Sequence, residues 1–350
     1  MNKFQEVIQK ISRGQKLAKD LTREEARQAL QWIFEGRASD FEIGAFFAAM
    51  RMKGESKEET VGLVEAVRER VPGFRPRFEG ILDLGDPYDG KVKTLHLTVP
   101  VALILAEAGV PVVLHGIPET PVKKGVETQR ILEALGVKVL EEKEHLIEIL
   151  EEEKLAFFPT ERLIPDFAKL RPYREAFGLR PFANHVEKIF NLAGAATQMV
   201  GIYHRPYLEM IGEALAELGI PRIFIIQGVE GFTEFYLSRK TLVFQIVEGK
   251  KESFWIDPAE FGLLGEEETS PSRKAEDHAG RIRELLEGAS GPARESVLWN
   301  AGVKLFWMKK AATIEEGIHQ ARTILDSGKA RLKLEAWRHA SQEKATPKEN

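Results

Sequence analysis

The residues with the most chemical content are Asp83-Leu-Gly-Asp-Pro-Tyr-Asp-Gly90. They follow the apolar pair Ile81-Leu82 and precede Thr94-Leu-His-Leu-Thr98 and the helix-like run Val101 to Ala108. A glycine-containing loop between a strand and a helix is a means of cradling phosphate, because glycine lets an anion approach backbone N–H groups. Gly85 and Gly90 are in place, but the middle of the loop works against an anion. Pro87 has no N–H to offer, Tyr88 puts bulk where the backbone would have to be bare, and Asp86 adds negative charge. The strand–loop–helix signal is kept and the phosphate chemistry is damaged.

A second set of residues could bind a polyanion. Lys91, Lys93, Lys123, Lys124, Arg130, Arg162, Arg171, Arg174 and Arg180 lie on segments flanking this loop, in a chain of 350 residues with a net charge of −4. Local field matters more than the sum, and Glu141 to Lys154, a solvated acidic helix face, carries much of the negative charge. Each phosphate neutralised adds affinity through counterion release. Single strands also want aromatic platforms, for which Tyr88, Tyr173 and Phe177 are interleaved with the charges. The competing reading is a set of surface cations, some paired with Glu119, Glu127 and Glu175. His96 and His115 lack metal-ligand spacing and read as structural histidines hydrogen-bonded beneath the loop. Trp299, Phe306 and Trp307, at near-helical spacing, read as core.

The elements that must position these groups fall into two parts. Residues 1–72 read as a helical bundle, with capping boxes at Thr22-x-x-Glu25, Ser39-x-x-Glu42 and Ser56-x-x-Glu59, C-terminal caps at Gly36 and Gly54, and a buried run from Phe41 to Met50. Val71 to Pro76 reads as a linker. Residues 73–340 alternate short apolar runs with helices. Candidate strands are Ile81–Leu84, Pro111–Leu114, Leu155–Phe158, Ile223–Ile226 and Leu242–Glu248. This implies α/β units and a mostly parallel sheet, with a ligand site beyond the strands' carboxyl ends. Gly262 to Gly280 reads as a loop and 341–350 as a frayed tail. With 43% hydrophobic residues the chain can bury a large core, and with no Cys it has neither disulfides nor thiolate ligands. No signal peptide or membrane span is visible, so a cytoplasmic protein with no membrane partner is expected.

In this order the motifs resemble the anthranilate phosphoribosyltransferase family, glycosyltransferase family 3. Asp83, Gly85, Asp89 and Gly90 match its Asp-x-Gly-Thr-Gly-Gly-Asp-Gly loop. Arg174 to Arg180, Ile189-Phe-Asn-Leu192, Gly291-Pro-Ala-Arg294, Val297 to Gly302 and Glu316-Gly317 match later segments. The resemblance implies an N-terminal helical domain, often used for dimerisation, and a larger α/β domain whose loop holds phosphoribosyl pyrophosphate with Mg²⁺. The functional positions depart from the family pattern. Leu114-His115-Gly116-Ile117 stands for Lys-His-Gly-Asn, and Thr98 alone keeps a hydroxyl in the Asn-Ile-Ser-Thr segment. Glu230-Gly-Phe-Thr-Glu234 stands for Asp-Gly-Leu-Asp-Glu, leaving Glu234 as a lone metal-ligand candidate. The former pyrophosphate site would comprise Gly85, Asp89, Gly90, Thr98, His115 and Gly116. Two readings follow. One is a non-catalytic homologue resembling a divergent nucleic-acid-binding branch of the family. It needs no cofactor, and its basic cleft of Lys91, Lys93, Lys123, Lys124, Arg130, Arg171, Arg174 and Arg180 would take a single strand. The other is a Mg²⁺-dependent phosphoribosyltransferase with an altered loop.

Overall fold

The structure is a computed structural model that describes residues 2–345 apart from Gln15, Pro72, Arg75, 77–79, 119–122 and Pro271. Part of the expected linker and residues 346–350 of the expected tail therefore lie outside the described residues; 341–345 continue a helix, Lys329–Ala345.

The N-terminal domain is built from helices α1 (Lys3–Ile11), α2 (Arg23–Phe34), α3 (Asp40–Lys53) and α4 (Lys57–Arg68). Each begins with a reciprocal capping box, at Asn2/Gln5, Thr22/Glu25, Ser39/Glu42 and Ser56/Glu59. These satisfy N–H groups that the first helical turn leaves without partners. Glu59 is fully buried and also accepts from Leu21 N–H at 2.8 Å and Lys53 Nζ at 2.6 Å, so one capping carboxylate ties three segments together. The α3 face of Phe46, Phe47 and Met50 is buried, but Phe41 is 86% exposed, which narrows the buried run. Helix Arg171–Phe177 returns to this domain, and Phe177 and Phe182 meet Phe47 edge-on at 6.0 and 5.1 Å.

The larger domain carries one seven-stranded sheet in the order β3-β2-β1-β4-β5-β6-β7. The strands are β1 (Leu82–Gly85), β2 (Val112–Gly116), β3 (Leu155–Pro159), β4 (Thr197–Gly201), β5 (Arg222–Ile226), β6 (Thr241–Val247) and β7 (Lys250–Ile256). The first five are parallel and the last two antiparallel. Helices cover the parallel strands, which are buried on both sides and read as continuous apolar runs. Two strands escape the sequence pattern. β4 carries Thr197 and Gln198 in its buried run, and β7 is an edge strand rich in charge. Helix Ala275–Leu286 begins inside the stretch expected as loop. Trp299 and Trp307 are core residues, whereas Phe306 is 37% exposed. The strand order reverses between β1 and β4, so the segments leaving those two strands diverge and open a crevice at their carboxyl ends. No helix among the described residues is long and apolar enough to cross a membrane.

Candidate functional site

The segment after β1 enters this crevice, and its retained glycines serve packing. A Cβ on Gly85 would lie 2.3 Å from the Lys188 carbonyl oxygen. Gly90, at φ +69, and Gly125 press backbone on backbone, and a Cβ on either would come within 2.6 Å of the other's carbonyl carbon. Lys91 and Val126 then exchange backbone hydrogen bonds of 3.1 and 2.8 Å. These glycines are explained by the fold without any phosphate.

Tyr88 points inward and is 2% exposed. Its hydroxyl lies 2.6 Å from His115 Nδ1 and 2.8 Å from Thr160 Oγ1, and it donates to the Glu187 carbonyl at 2.9 Å. Burial drives the phenol well above its ordinary value. His115 Nε2 is 3.1 Å from Asp83 Oδ1, which also accepts from Gln198 at 3.0 Å. This buried chain anchors the loop from below, with Gly116 buried at the end of β2. His96 is also buried. Burial, then the charge of Lys91, pushes its pKa well below the ordinary value, so it is neutral at pH 7.

The chain's own charges occupy the donors that face the loop. Asp86 accepts from Thr98 Oγ1 at 2.5 Å and from Thr233 N–H at 2.6 Å. Lys91, fully buried, pairs with Glu234 and donates to Leu95 O and Thr94 Oγ1, each at 3.1 Å. Glu234 also accepts from Leu97 N–H at 2.9 Å. Burial pushes the Glu234 carboxyl up, against the pull of Lys91. Lys304 Nζ caps the Thr233 carbonyl at 2.7 Å, and Asn300 Oδ1 accepts from Phe235 N–H at 2.8 Å. Both come from helix Pro292–Trp307, whose Gly302 abuts Gly317 so closely that neither admits a Cβ. Mg²⁺ wants several hard oxygens and is usually bound through one or two carboxylates together with phosphates. Glu234 already holds an ammonium, Thr233 is neutral, and the described residues form no group of three His, Asp or Glu able to hold a metal. The residues present do not fit Mg²⁺.

The expected cations do not form one surface. Lys91 is buried, because its ammonium is the partner of Glu234. Arg174 is 2% exposed, 2.8 Å from Glu187. These two are corrected to internal ion pairs. Lys123 is 3.3 Å from Glu230, and Arg180 pairs with Asp89 while staying 42% exposed. Lys93 and Lys124 are exposed. Arg130 and Arg171 line a separate groove of about 920 Å³ with Lys138 and Arg162, where Glu161 holds Arg171 at 2.6 Å. The expected aromatic platforms are corrected too. Tyr88 is buried, while Tyr173 and Phe177 pack on Phe47. The exposed ring by the crevice is Tyr203, 59% exposed. It shares a cavity of about 100 Å³ with Arg51, Asp89, Arg180, His185, Lys188 and Glu230. Burial lowers Lys188 to about 8.

Comparison with known proteins agrees with this architecture. Residues 5–71 match the helical bundle domain of the glycosyl transferase family and residues 89–331 its a/b domain. An anthranilate phosphoribosyltransferase from Methanocorpusculum labreanum is 34% identical over 319 residues, covering 90% of this chain and 93% of the relative. The crystal structure of anthranilate phosphoribosyltransferase from Thermus thermophilus superposes with a TM-score of 0.83 at 27% identity, covering 98% of this chain and all of that one. The enzyme from Saccharomyces cerevisiae, solved with phosphoribosyl pyrophosphate and Mg, has the same TM-score at 18% identity, covering 97% and 98%. The chain belongs to the glycosyl transferase family that includes the anthranilate phosphoribosyltransferases.

Proposed function

We propose that this chain is a non-catalytic member of its family that binds single-stranded nucleic acid at the mouth of the inherited crevice. The observation that carries the loss of catalysis is Asp86. Its carboxylate takes the Thr98 hydroxyl and the Thr233 N–H, donors that a bound pyrophosphate would need. Displacing pyrophosphate builds charge on the leaving group, and stabilising it needs free donors and a cation. Here the donors face a carboxylate, and Lys91 spends its charge on Glu234. The Saccharomyces structure holds phosphoribosyl pyrophosphate and Mg; this chain would need neither.

What favours a polyanion is the charge left at the rim. Lys93 and Lys124 are exposed beside the crevice, Arg180 remains 42% exposed although it pairs with Asp89, Tyr203 is available for stacking, and Arg130 continues the positive edge into the neighbouring groove. The exposed Phe41 and Met52 on α3 would suit a homodimer through the helical domain. Fluorescence anisotropy with labelled oligothymidine tests the reading. The expected result is saturable binding whose log affinity falls linearly with log salt. Absence of binding at low salt would refute it.

A further inference from the structure

The carboxyl rim of the sheet runs on from the crevice to the antiparallel edge. Tyr203 follows β4, and its carbonyl accepts from the Gln227 side chain, just past β5, at 3.1 Å. Gln227 N–H donates to the Leu242 carbonyl at 2.9 Å, and Leu242 of β6 lies opposite Trp255 of β7. From β4 to β7 the rim crosses three strand spacings, about 14 Å. At its far end Trp255 is 49% exposed on an edge strand, where charge or proline guards an edge better than a large ring. Lys240 Nζ stands 5.0 Å over the Trp255 ring, and the Arg239 guanidinium stands 4.0 Å over the Tyr236 ring. Both cations are exposed, and neither has a carboxylate partner among the described residues. Two neighbouring acids are spent on the backbone. Glu267 accepts from Leu237 and Ser238 N–H at 2.8 and 3.0 Å, and Asp257 accepts from Ala259 N–H at 3.0 Å.

We propose that a single strand held at the crevice mouth continues along this rim and stacks bases on Trp255 and on the Arg239–Tyr236 pair. The proposal rests on the single-strand reading and extends its footprint to a second platform at the β6–β7 edge. Every base has a π-face, so an exposed ring takes bases without regard to sequence. A guanidinium stacks on bases too, and the Tyr236 ring beneath Arg239 holds it in place. The two unpaired cations beside the rings suit a chain of phosphates, whose counterions they release.

The test uses the full-length chain and labelled oligothymidine of about 12 nucleotides at low salt, a length within the range such surfaces cover. Binding is read by anisotropy and by tryptophan emission. Trp255→Leu should weaken the strand about tenfold, the worth of one stacked base. It should leave the salt slope unchanged, because the ring carries no charge. Trp255→Phe, which keeps a ring, should recover most of the affinity. Arg239→Ala should weaken binding and also make the slope shallower. The strand should quench tryptophan emission in wild type, and the quench should fall in Trp255→Leu, since Trp299, Trp307 and Trp337 are buried. If wild type binds and folded Trp255→Leu binds equally well, the proposal is overturned and the crevice reading stands. If wild type does not bind at all, both are overturned.

Discussion

Lys91 and Glu234, 143 residues apart in sequence, form a buried ion pair in the crevice, and neither side chain is more than 4% exposed. Each charge is thereby satisfied within the chain, with Glu234 also accepting from Leu97 N–H.

Removing one partner of such a pair leaves the other charged and without compensation. Lys91→Met should destabilise the chain by about 3–5 kcal/mol, and pairing it with Glu234→Gln should recover much of that. Urea unfolding of the single and double variants measures both. A single variant as stable as wild type would show that the pair contributes nothing.

Restoring glycine to the loop should not restore catalysis. Pro87→Gly with Tyr88→Gly leaves Asp86 and Lys91 where they are and deletes a buried ring whose hydroxyl meets His115, Thr160 and Glu187. We expect no phosphoribosyl transfer and a loss of about 3–5 kcal/mol in stability. Thermal unfolding and a transfer assay on the same preparation check this, and a functional double variant would assign the lost chemistry to loop shape alone.

Much of the architecture was legible in the sequence, because capping boxes and apolar runs are local. Three expected capping boxes formed, and five of seven strands were found to within a residue or two. β4 was hidden because Gln198 is buried there to bond Asp83, a tertiary need with no local sign. At the site, the odd charges of Asp86 and Lys91 were visible, but their partners were not. Thr233 is 147 residues from Asp86, and no periodicity joins them. The direction of a side chain was equally hidden. Tyr88 and Arg174 carry groups typical of binding surfaces, yet both turn into the core to meet Glu187.

Stability should rise from pH 8 towards pH 10. Burial lowers both Lys188 and Lys304 to about 8 from an ordinary 10.5. In that window the unfolded chain holds more protons than the folded one, so raising pH favours folding. Tyr88, shifted upward from 10.0, opposes this only at higher pH. Urea midpoints across the window should climb, and Lys304→Met should flatten the climb. A wild-type midpoint that falls steadily from pH 8 would contradict the assignment.

Lys93, Lys124 and Arg180 should contribute through charge and not through base identity. Alanine at each should weaken single-strand binding similarly for all sequences and reduce the salt slope by about 0.7. Anisotropy titrations at several salt concentrations measure this. Unchanged affinity and slope in the folded triple variant would return these residues to solvated surface.

Asp86 accepts from Thr98 and Thr233, and Lys91 pairs with Glu234 in the crevice, and on the proposed reading the family's transfer reaction does not run there. The most direct measurement is the consumption of anthranilate, followed by its fluorescence, with purified protein, phosphoribosyl pyrophosphate and Mg²⁺. The expected rate is indistinguishable from the protein-free control. Saturable, Mg²⁺-dependent turnover that is lost on boiling would contradict it.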